Sequence, residues 1–191
     1  MAALGVPYRI FQQAYVVDDL ERAAHHWYQT YGAGPFAIAP HHRCDRFTYR
    51  GTDQEADVSY AFGYLGDTMI QFIVQHDDTP SIYRDMYAAG QQGYHHLAYL
   101  VTDFAAERQR LIDLGLEPAC ELFADGVNAS YFDTRHINGG FTEIHGDPPH
   151  ILQVFAQWRR AHEIHRPGDP IIWKPSRSRG SETSSPAGPD R

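Results

Sequence analysis

Four polar side chains stand at matching points of this 191-residue sequence, inside segments that are otherwise β-rich and apolar. Gln12 and His96 each begin such a segment, and small or apolar residues follow them at alternate positions. Gln71 lies within MIQFIV and Glu143 within FTEIH. Because alternate residues of a strand point to one face, each polar side chain would share its face with small or apolar neighbours. Nitrogen and oxygen donors in this setting are typical of residues that bind a ligand in a cavity.

Other polar residues near these four invite separate interpretations. His145 shares the face of Glu143, two residues away, and either lines the same cavity or has a structural role. Strand alternation predicts that His95 points away from the face of His96. The polar loop 40–46, PHHRCDR, either meets an anionic substrate or is simply solvated, and we expect the latter.

An internal repeat of the sequence relates Gln12 to His96. Residues 12–35 and 96–118 each contain a β-rich run, an Asp suited to cap a helix, an amphipathic stretch and a Gly that ends it. The aligned positions include Gln12 with His96, Val17 with Val101, Asp19 with Asp103, Gly32 with Gly115 and Pro35 with Pro118.

Strand pairs follow each predicted helix. Residues 57–64 and 68–75 form a predicted hairpin in the first half, and residues 129–134 and 140–145 form a similar pair in the second. The sequence therefore predicts an α+β fold of two tandem βαβββ modules, whose curved sheets surround a shared cavity. The four polar residues, two from each module, would converge around a pseudo-twofold axis.

This repeat sets the predicted domain boundaries. Module one covers residues 8–78 and module two residues 93–148, both within one domain at 1–149. An apolar pattern in residues 150–164 predicts a packing helix, within a C-terminal extension at 150–175. Residues 176–191 are rich in Ser, Gly and Pro and almost without apolar residues, so we expect a disordered tail.

Composition excludes several classes of protein. The formal charge is −8 and Lys and Arg are not clustered, which argues against a nucleic-acid partner. No apolar run is long enough for a membrane span, and no signal peptide is recognisable. Two cysteines exclude a disulfide-dense scaffold, and the usual nucleophile, phosphate-loop and zinc-ligand cysteine motifs are absent. We expect a cytoplasmic protein with a small-molecule substrate, and a homodimer stays open.

Four segments carry a resemblance to a known superfamily. They are QQAYVVDDLERAAHHWYQTYGAGPF, GYHHLAYLVTDF, GDTMIQFIVQ and GGFTEIHGDP. In their order and spacing they resemble the vicinal oxygen chelate superfamily, which includes glyoxalase I, methylmalonyl-CoA epimerase and bleomycin-resistance proteins. The third and fourth segments are similar to the strands that end the two modules of the epimerases. The resemblance covers roughly residues 8–148.

The resemblance implies a metal site. The family's ligand positions correspond here to Gln12, Gln71, His96 and Glu143. Gln at the first position resembles eukaryotic glyoxalase I and Gln at the second resembles the epimerases, so this pair departs from both usual patterns. A single carboxylate would leave a bound dication with a formal +1 charge, which weakens metal binding but favours a developing enolate. The expected cofactor is a divalent ion, Zn, Ni, Co, Mn or Fe(II).

The same resemblance leaves several functions to compare. The first is an isomerase, epimerase or lyase that abstracts a proton next to a carbonyl, with the enediolate chelated by the metal and with Glu143 and His145 as the candidate catalytic bases. The second is a metal-free protein that sequesters a hydrophobic small molecule, for which twelve Tyr and ten Phe could build the pocket. An extradiol dioxygenase would need two histidines at the iron, and only His96 occupies an expected position.

Overall fold

Eleven strands form one curved sheet in the computed structural model, which describes residues 9–173. The strands are β1 Ile10–Val16, β2 Phe36–Ala39, β3 Arg46–Tyr49, β4 Thr52–Asp53, β5 Val58–Leu65, β6 Thr68–Gln75, β7 Gly93–Val101, β8 Pro118–Ala124, β9 Val127–Phe132, β10 Phe141–Gly146 and β11 Ile172–Trp173. The helices are α1 Leu20–Tyr31, α2 Ile82–Met86, α3 Phe104–Asp113, α4 Arg135–Asn138 and α5 Pro149–Ile164.

The sheet order shows the two predicted modules side by side. It runs β11-β2-β5-β6-β1-β7-β10-β9-β8-β3-β4, with the two halves joined by the antiparallel pair β1 and β7. Within each half, the first strand pairs in parallel with the last, β1 with β6 and β7 with β10. The predicted α+β fold of two related modules is therefore confirmed.

Three short strands extend the predicted βαβββ pattern. Strands β3 and β4 lie between β2 and β5 in the sequence, yet β3 pairs with β8 at the far edge of the second half. Strand β11 pairs in parallel with β2 and lengthens the opposite edge. The pairing of β3 with β8 is therefore a second contact between the two modules, in addition to the pairing of β1 with β7.

The two repeat helices begin and end as the sequence predicts. The carboxylate of Asp19 accepts a hydrogen bond from the Arg22 amide, and that of Asp103 accepts one from the Ala106 amide. Gly32 ends α1 in the left-handed conformation, at φ 74°. Helices α1 and α3 pack on the outer face of their halves, in two core clusters that include Phe72 and Ile144.

Strand alternation leaves a second core on the inner face. This cluster combines residues of both halves, among them Ala14, Tyr60, Tyr131 and Phe141. Helix α5 closes one side of it, because Phe155 packs with Tyr64 and Met69 of the first half. The polar residues singled out in the sequence must therefore lie between the halves if they share the inner face.

A helix follows the second module, as the fold prediction included. Helix α5, Pro149–Ile164, matches the predicted packing helix. The predicted disordered tail at 176–191 lies outside the described residues, and the domain boundaries stay predictions. Within residues 9–173, no helix has the length and hydropathy to cross a membrane.

Candidate functional site

The four polar side chains lie on four consecutive strands of the sheet. Gln71 is on β6, Gln12 on β1, His96 on β7 and Glu143 on β10, in that spatial order. All four are buried, with exposed fractions of 5% or less. The repeat explains this arrangement, because equivalent strands of the two modules meet at the central pair. It brings together the side chains that the sequence singled out.

Three of these side chains are in direct contact. His96 Nε2 lies 3.0 Å from Glu143 Oε2 and 3.3 Å from Gln12 Oε1. The amide nitrogen of Gln12 donates instead to the sulfur of Met69, a weak acceptor, at 3.2 Å. The amide oxygen of Gln71 is buried and has no hydrogen-bond partner. Because a buried polar atom without a partner costs free energy, this oxygen is available to coordinate a ligand in the cavity.

His95 differs from the prediction made by simple strand alternation. Between β1 and β7, Ala14 pairs with His96 but Tyr15 pairs with Tyr94, so His95 is an extra residue in a β-bulge. A bulge re-aims side chains, and here both imidazoles point inward and are fully buried. The prediction that His95 faces away from His96 is therefore wrong, and sequence reasoning missed a residue that contacts the site.

Hydrogen bonds behind His96 determine its tautomer. His95 Nε2 lies 3.2 Å from the carbonyl oxygen of Ile82, which can only accept, so His95 carries its proton on Nε2. Its Nδ1 must then accept the hydrogen bond from His96 Nδ1, which lies 2.8 Å away. In a neutral His96 ring, Nε2 is therefore an unprotonated lone pair, and it faces Glu143 and Gln12.

Burial controls the charge of the site. It raises the pKa of Glu143 to about 7, although His145 and a hydrogen bond from Tyr131 act in the opposite direction. Burial also lowers the pKa of His96 to about 3 and lowers that of His95. Burial therefore favours the neutral forms of both groups, in which protonated Glu143 can donate a hydrogen bond to His96 Nε2. A cation among these atoms would reverse the preference of Glu143 and favour its carboxylate form.

The donor set fits a divalent metal ion. One imidazole nitrogen, one carboxylate oxygen and one amide oxygen already face one another, and none of the three needs to carry a proton. His96 Nε2 and Gln12 Oε1 can both offer a lone pair, so a cation between them would be coordinated by both. One nitrogen and several oxygen ligands suit late first-row ions such as Zn²⁺, Co²⁺ and Ni²⁺, as well as Mn²⁺.

A cavity of about 370 Å³ opens in front of these residues. Gln12, Gln71 and Glu143 contribute to its wall, whereas His96 lies behind them. The rest of the wall is mainly apolar and aromatic, and includes Tyr60, Phe62, Leu122, Val127, Tyr131, Ile151, Val154, Phe155 and Trp158. Helix α5 covers one side, where Trp158 stacks on Phe62 with ring centroids 5.0 Å apart. Among residues 9–173, no Lys or Arg lines this cavity.

His145 also lines the cavity, on the same strand face as Glu143. Its Nδ1 donates a hydrogen bond to the Gly146 carbonyl oxygen at 2.6 Å, so Nε2 of the neutral ring is free of a proton. Phe11 and Phe155 stack on each other and both contact the His145 ring, with centroids 5.9 Å and 5.6 Å away. His145 is thus a fixed imidazole whose unprotonated nitrogen can accept a proton.

The predicted polar loop 40–46 contributes one side chain to the cavity. His42 lines the wall and packs edge-on against Tyr60 at 5.6 Å. Arg43 and Arg46 are exposed and do not line the cavity. The loop therefore supplies no positive charge there, in agreement with the expectation that it is mainly solvated.

Comparisons with solved structures find the same fold. A methylmalonyl-CoA epimerase from Mycobacterium tuberculosis is 16% identical with a TM-score of 0.53, over 80% of this chain and 97% of the other. Another methylmalonyl-CoA epimerase structure, in complex with methylmalonyl-CoA and NH4+, is 17% identical with a TM-score of 0.53, over 75% of this chain and 97% of the other. A Streptomyces coelicolor methylmalonyl-CoA epimerase variant in complex with 2-nitronate-propionyl-CoA is 18% identical with a TM-score of 0.52, over 74% and 95%. At these identities the likeness concerns the fold.

A comparison of sequences gives the family. No curated protein matches the chain. A sequence profile of the glyoxalase/bleomycin resistance protein/dioxygenase superfamily matches residues 11–132, which include Gln12, Gln71 and His96. This match covers more than half of the chain, and the two-module sheet with its central cavity agrees with it. The protein therefore belongs to the glyoxalase/bleomycin resistance protein/dioxygenase superfamily, within the vicinal oxygen chelate group that the sequence resembles.

Proposed function

We propose that this protein is a metal-dependent enzyme that abstracts a proton next to a carbonyl group, as an isomerase, epimerase or lyase. The observation that carries the proposal is the contact of His96 Nε2 with Glu143 Oε2 and Gln12 Oε1, at 3.0 Å and 3.3 Å. Gln71, with its unpaired buried oxygen, completes the proposed ligand set. When bound there, a divalent ion would polarise the substrate oxygens and stabilise negative charge on them.

The chain's own residues provide the remaining functions. Glu143 supplies the only anionic ligand of this set, and Tyr131 favours its carboxylate form by lowering its pKa. His145 Nε2 is unprotonated in the neutral ring and faces the cavity, so His145 can receive the proton taken from the substrate. Glu143 is the second candidate for this base. The aromatic wall and helix α5 would exclude water from the reacting atoms.

The lining of the cavity favours a compact and largely apolar substrate. Tyr60, Phe62, Phe155 and Trp158 offer stacking surfaces, and the charged groups are carboxylates rather than Lys or Arg. Coenzyme A carries several phosphate charges, for which the cavity walls within residues 9–173 contain no Lys or Arg. We therefore propose a small carbonyl compound with two neighbouring oxygen atoms rather than a CoA thioester.

The same lining supports one alternative, a metal-free protein that sequesters a hydrophobic small molecule. Its aromatic walls could hold such a compound without any reaction. The two functions differ in the role of the buried polar residues. An enzyme needs them as ligands, whereas a sequestration protein does not benefit from a buried carboxyl group and an unpaired amide oxygen.

Metal loading followed by hydrogen exchange tests the proposal. Purified protein is loaded with Zn, Ni, Co, Mn or Fe(II), and its metal content is measured by elemental analysis. Each form is then incubated in D₂O with a panel of α-hydroxy and α-keto carbonyl compounds, and deuterium next to the carbonyl is followed by NMR. We expect exchange that needs the metal, is abolished in Glu143→Gln and is slowed in His145→Ala.

Failure to bind any of the five metal ions would contradict the proposal. A wild-type protein that stays metal-free at the central residues under an excess of all five ions would remove the proposed mechanism. Tight binding of aromatic compounds by that metal-free protein would then support sequestration. The cytoplasmic location and the assembly state expected from the sequence stay predictions.

A further inference from the structure

A second cluster of metal-ligand residues lies at one end of the sheet, away from the cavity. It consists of His41, Asp57 and His76, which we call the outer site. His41 follows the end of β2, Asp57 precedes β5 and His76 follows β6. Because β5 pairs antiparallel with both β2 and β6, these three strand ends meet at the same edge. The sequence places the three residues far apart, and only the strand pairing collects them.

The donor atoms of the three side chains are already close. One ligand atom from each residue lies within 4.8 Å of the other two. His41 Nδ1 is 2.7 Å from Asp57 Oδ1, and the two imidazole rings are 4.7 Å apart between centroids. Backbone hydrogen bonds hold the cluster in place, since His42 N donates to Val58 O and His76 N to Asp57 O, both at 2.8 Å.

The chemistry of the cluster suits a late transition ion. Ligands of one tetrahedral Zn²⁺ ion lie about 2.0–2.2 Å from it, so two donor atoms that share an ion are separated by about 3.3–3.6 Å. All three donor atoms of the outer site lie within 4.8 Å of one another, so side-chain shifts of about 1.5 Å or less would bring them to this separation. Its two imidazoles favour Zn²⁺ or Cu²⁺ over Mg²⁺ or Ca²⁺, which prefer oxygen ligands. We propose that His41, Asp57 and His76 bind one such divalent ion.

Exposure indicates what kind of site this is. The side chains of His41 and Asp57 are 64% and 43% exposed, so a bound ion would keep at least one position open to water. His76 directly follows β6 and lies five residues beyond Gln71, which is on that strand. At the usual rise per residue of a strand, the two residues are roughly 16 Å apart. The outer site is therefore separate from the central residues, and the proposal does not depend on the proposed function.

Two existing sets of hydrogen bonds compete with the ion. The hydroxyl of Ser59 lies 2.7 Å from His76 Nε2, and His41 Nδ1 is shared by both oxygens of Asp57. An ion would replace these contacts by coordination, which is stronger than hydrogen bonds between exposed groups. The competing explanation is a hydrogen-bonded network that closes the sheet edge without any ion.

Zinc titration of the full-length, tag-free protein separates these two explanations. Wild type, His41→Ala and His76→Ala are compared with His136→Ala, which removes an exposed histidine of α4. Competition with a chromophoric chelator gives the affinity and the number of Zn²⁺ ions bound. We expect both outer-site variants to lose one equivalent of Zn²⁺, with affinity reduced more than about 100-fold, because even partners behind a ligand change affinity by about 10- to 100-fold. The control should match wild type.

A second measurement keeps the result independent of the central site. In Glu143→Gln, one equivalent of Co²⁺ should still give the visible absorption of a histidine-bound ion, and adding His76→Ala to that variant should abolish it. Because the outer-site side chains are exposed, their alanine variants should keep the circular dichroism of the wild type. Unchanged Zn²⁺ stoichiometry and affinity in both His41→Ala and His76→Ala would overturn the proposal.

Discussion

The Nδ1 atoms of His95 and His96 lie 2.8 Å apart, although the two residues are consecutive in one strand. Neighbouring side chains of a regular strand point to opposite faces, so this contact depends on the bulge between β1 and β7. The carbonyl oxygen of Ile82 fixes the proton of His95 on Nε2, and His95 in turn fixes that of His96 on Nδ1. The backbone of α2, outside the central strands, thus determines which nitrogen of His96 carries the proton.

His95→Phe tests this control of the tautomer. In the wild type the His95 ring stacks on Phe141 with centroids 5.2 Å apart. A Phe ring would keep this stacking but could not accept the hydrogen bond from His96 Nδ1. We expect metal affinity at the central site to fall by about 10- to 100-fold, the usual effect of removing a partner behind a metal ligand. Isothermal titration gives the affinity, and ¹⁵N shifts of His96 report its tautomer. Unchanged affinity with His96 still protonated on Nδ1 would contradict this role.

Glu143→Gln tests the charge of the proposed metal site. A carboxylate offers a full negative charge and an amide oxygen only a dipole, and this difference grows in a buried setting. We therefore expect Glu143→Gln to weaken metal binding far more than Gln12→Ala or Gln71→Ala, and to abolish turnover. Metal stoichiometry after identical loading measures the first effect. Equal metal content in all three variants would show that Glu143 is not the dominant ligand.

Gly140→Ala tests the packing that supports the bulge. A Cβ atom at Gly140 would lie 2.6 Å from the carbonyl oxygen of His95, which is backbone and cannot move aside cheaply. We expect a loss of about 1–3 kcal/mol in the free energy of unfolding, as for other overpacked sites, together with weaker metal binding. Urea unfolding measures the former.

Gly146→Ala, at the end of β10, is the matched control, because Gly140 directly precedes the same strand. Its added Cβ would meet the Asn128 carbonyl oxygen at 3.5 Å, an ordinary van der Waals distance. We expect Gly146→Ala to unfold close to wild type. Equal destabilisation by the two substitutions would mean that the close approach to His95 is not the cause.

Asp133→Asn tests an ion-pair network outside the site. Hydrogen bonds from Arg135, and a further one from Arg50, lower the pKa of Asp133 to about 2. A carboxyl group with a lowered pKa stabilises the folded state above its unfolded pKa, near 4, and loses this contribution as the pH falls towards 2. The shift corresponds to about 2 kcal/mol at pH 7, and screening at these one-third exposed arginines reduces our expectation to about 1 kcal/mol.

Urea unfolding of Asp133→Asn between pH 7 and pH 2.5 gives the measurement. The difference from wild type should be largest at pH 7 and shrink below pH 4, because protonation of Asp133 makes the two proteins alike. Asp113→Asn, at an exposed carboxylate that accepts a hydrogen bond from Gln109, serves as the control. A difference independent of pH would exclude the ion-pair explanation.

Local rules of the sequence determined much of this fold. The repeated pattern of β-run, capping Asp, amphipathic stretch and Gly predicted α1 and α3, because helix caps and periodicity are local properties. The same repeat predicted that Gln12 and His96 occupy equivalent strands, and their face followed from the regular alternation of side chains. Four of the five residues chosen from the sequence, Gln12, Gln71, Glu143 and His145, line one cavity, and His96 contacts two of them.

Only the tertiary structure decided the rest. The bulge that turns His95 inward depends on a one-residue mismatch between paired strands, which neither strand encodes alone. Likewise, β3 joins the edge of the second half, and β2, β5 and β6 bring His41, Asp57 and His76 together from distant parts of the chain. Strand pairing between remote segments is set by the packing of the whole sheet, so no local pattern could reveal the tautomer of His96 or the outer site.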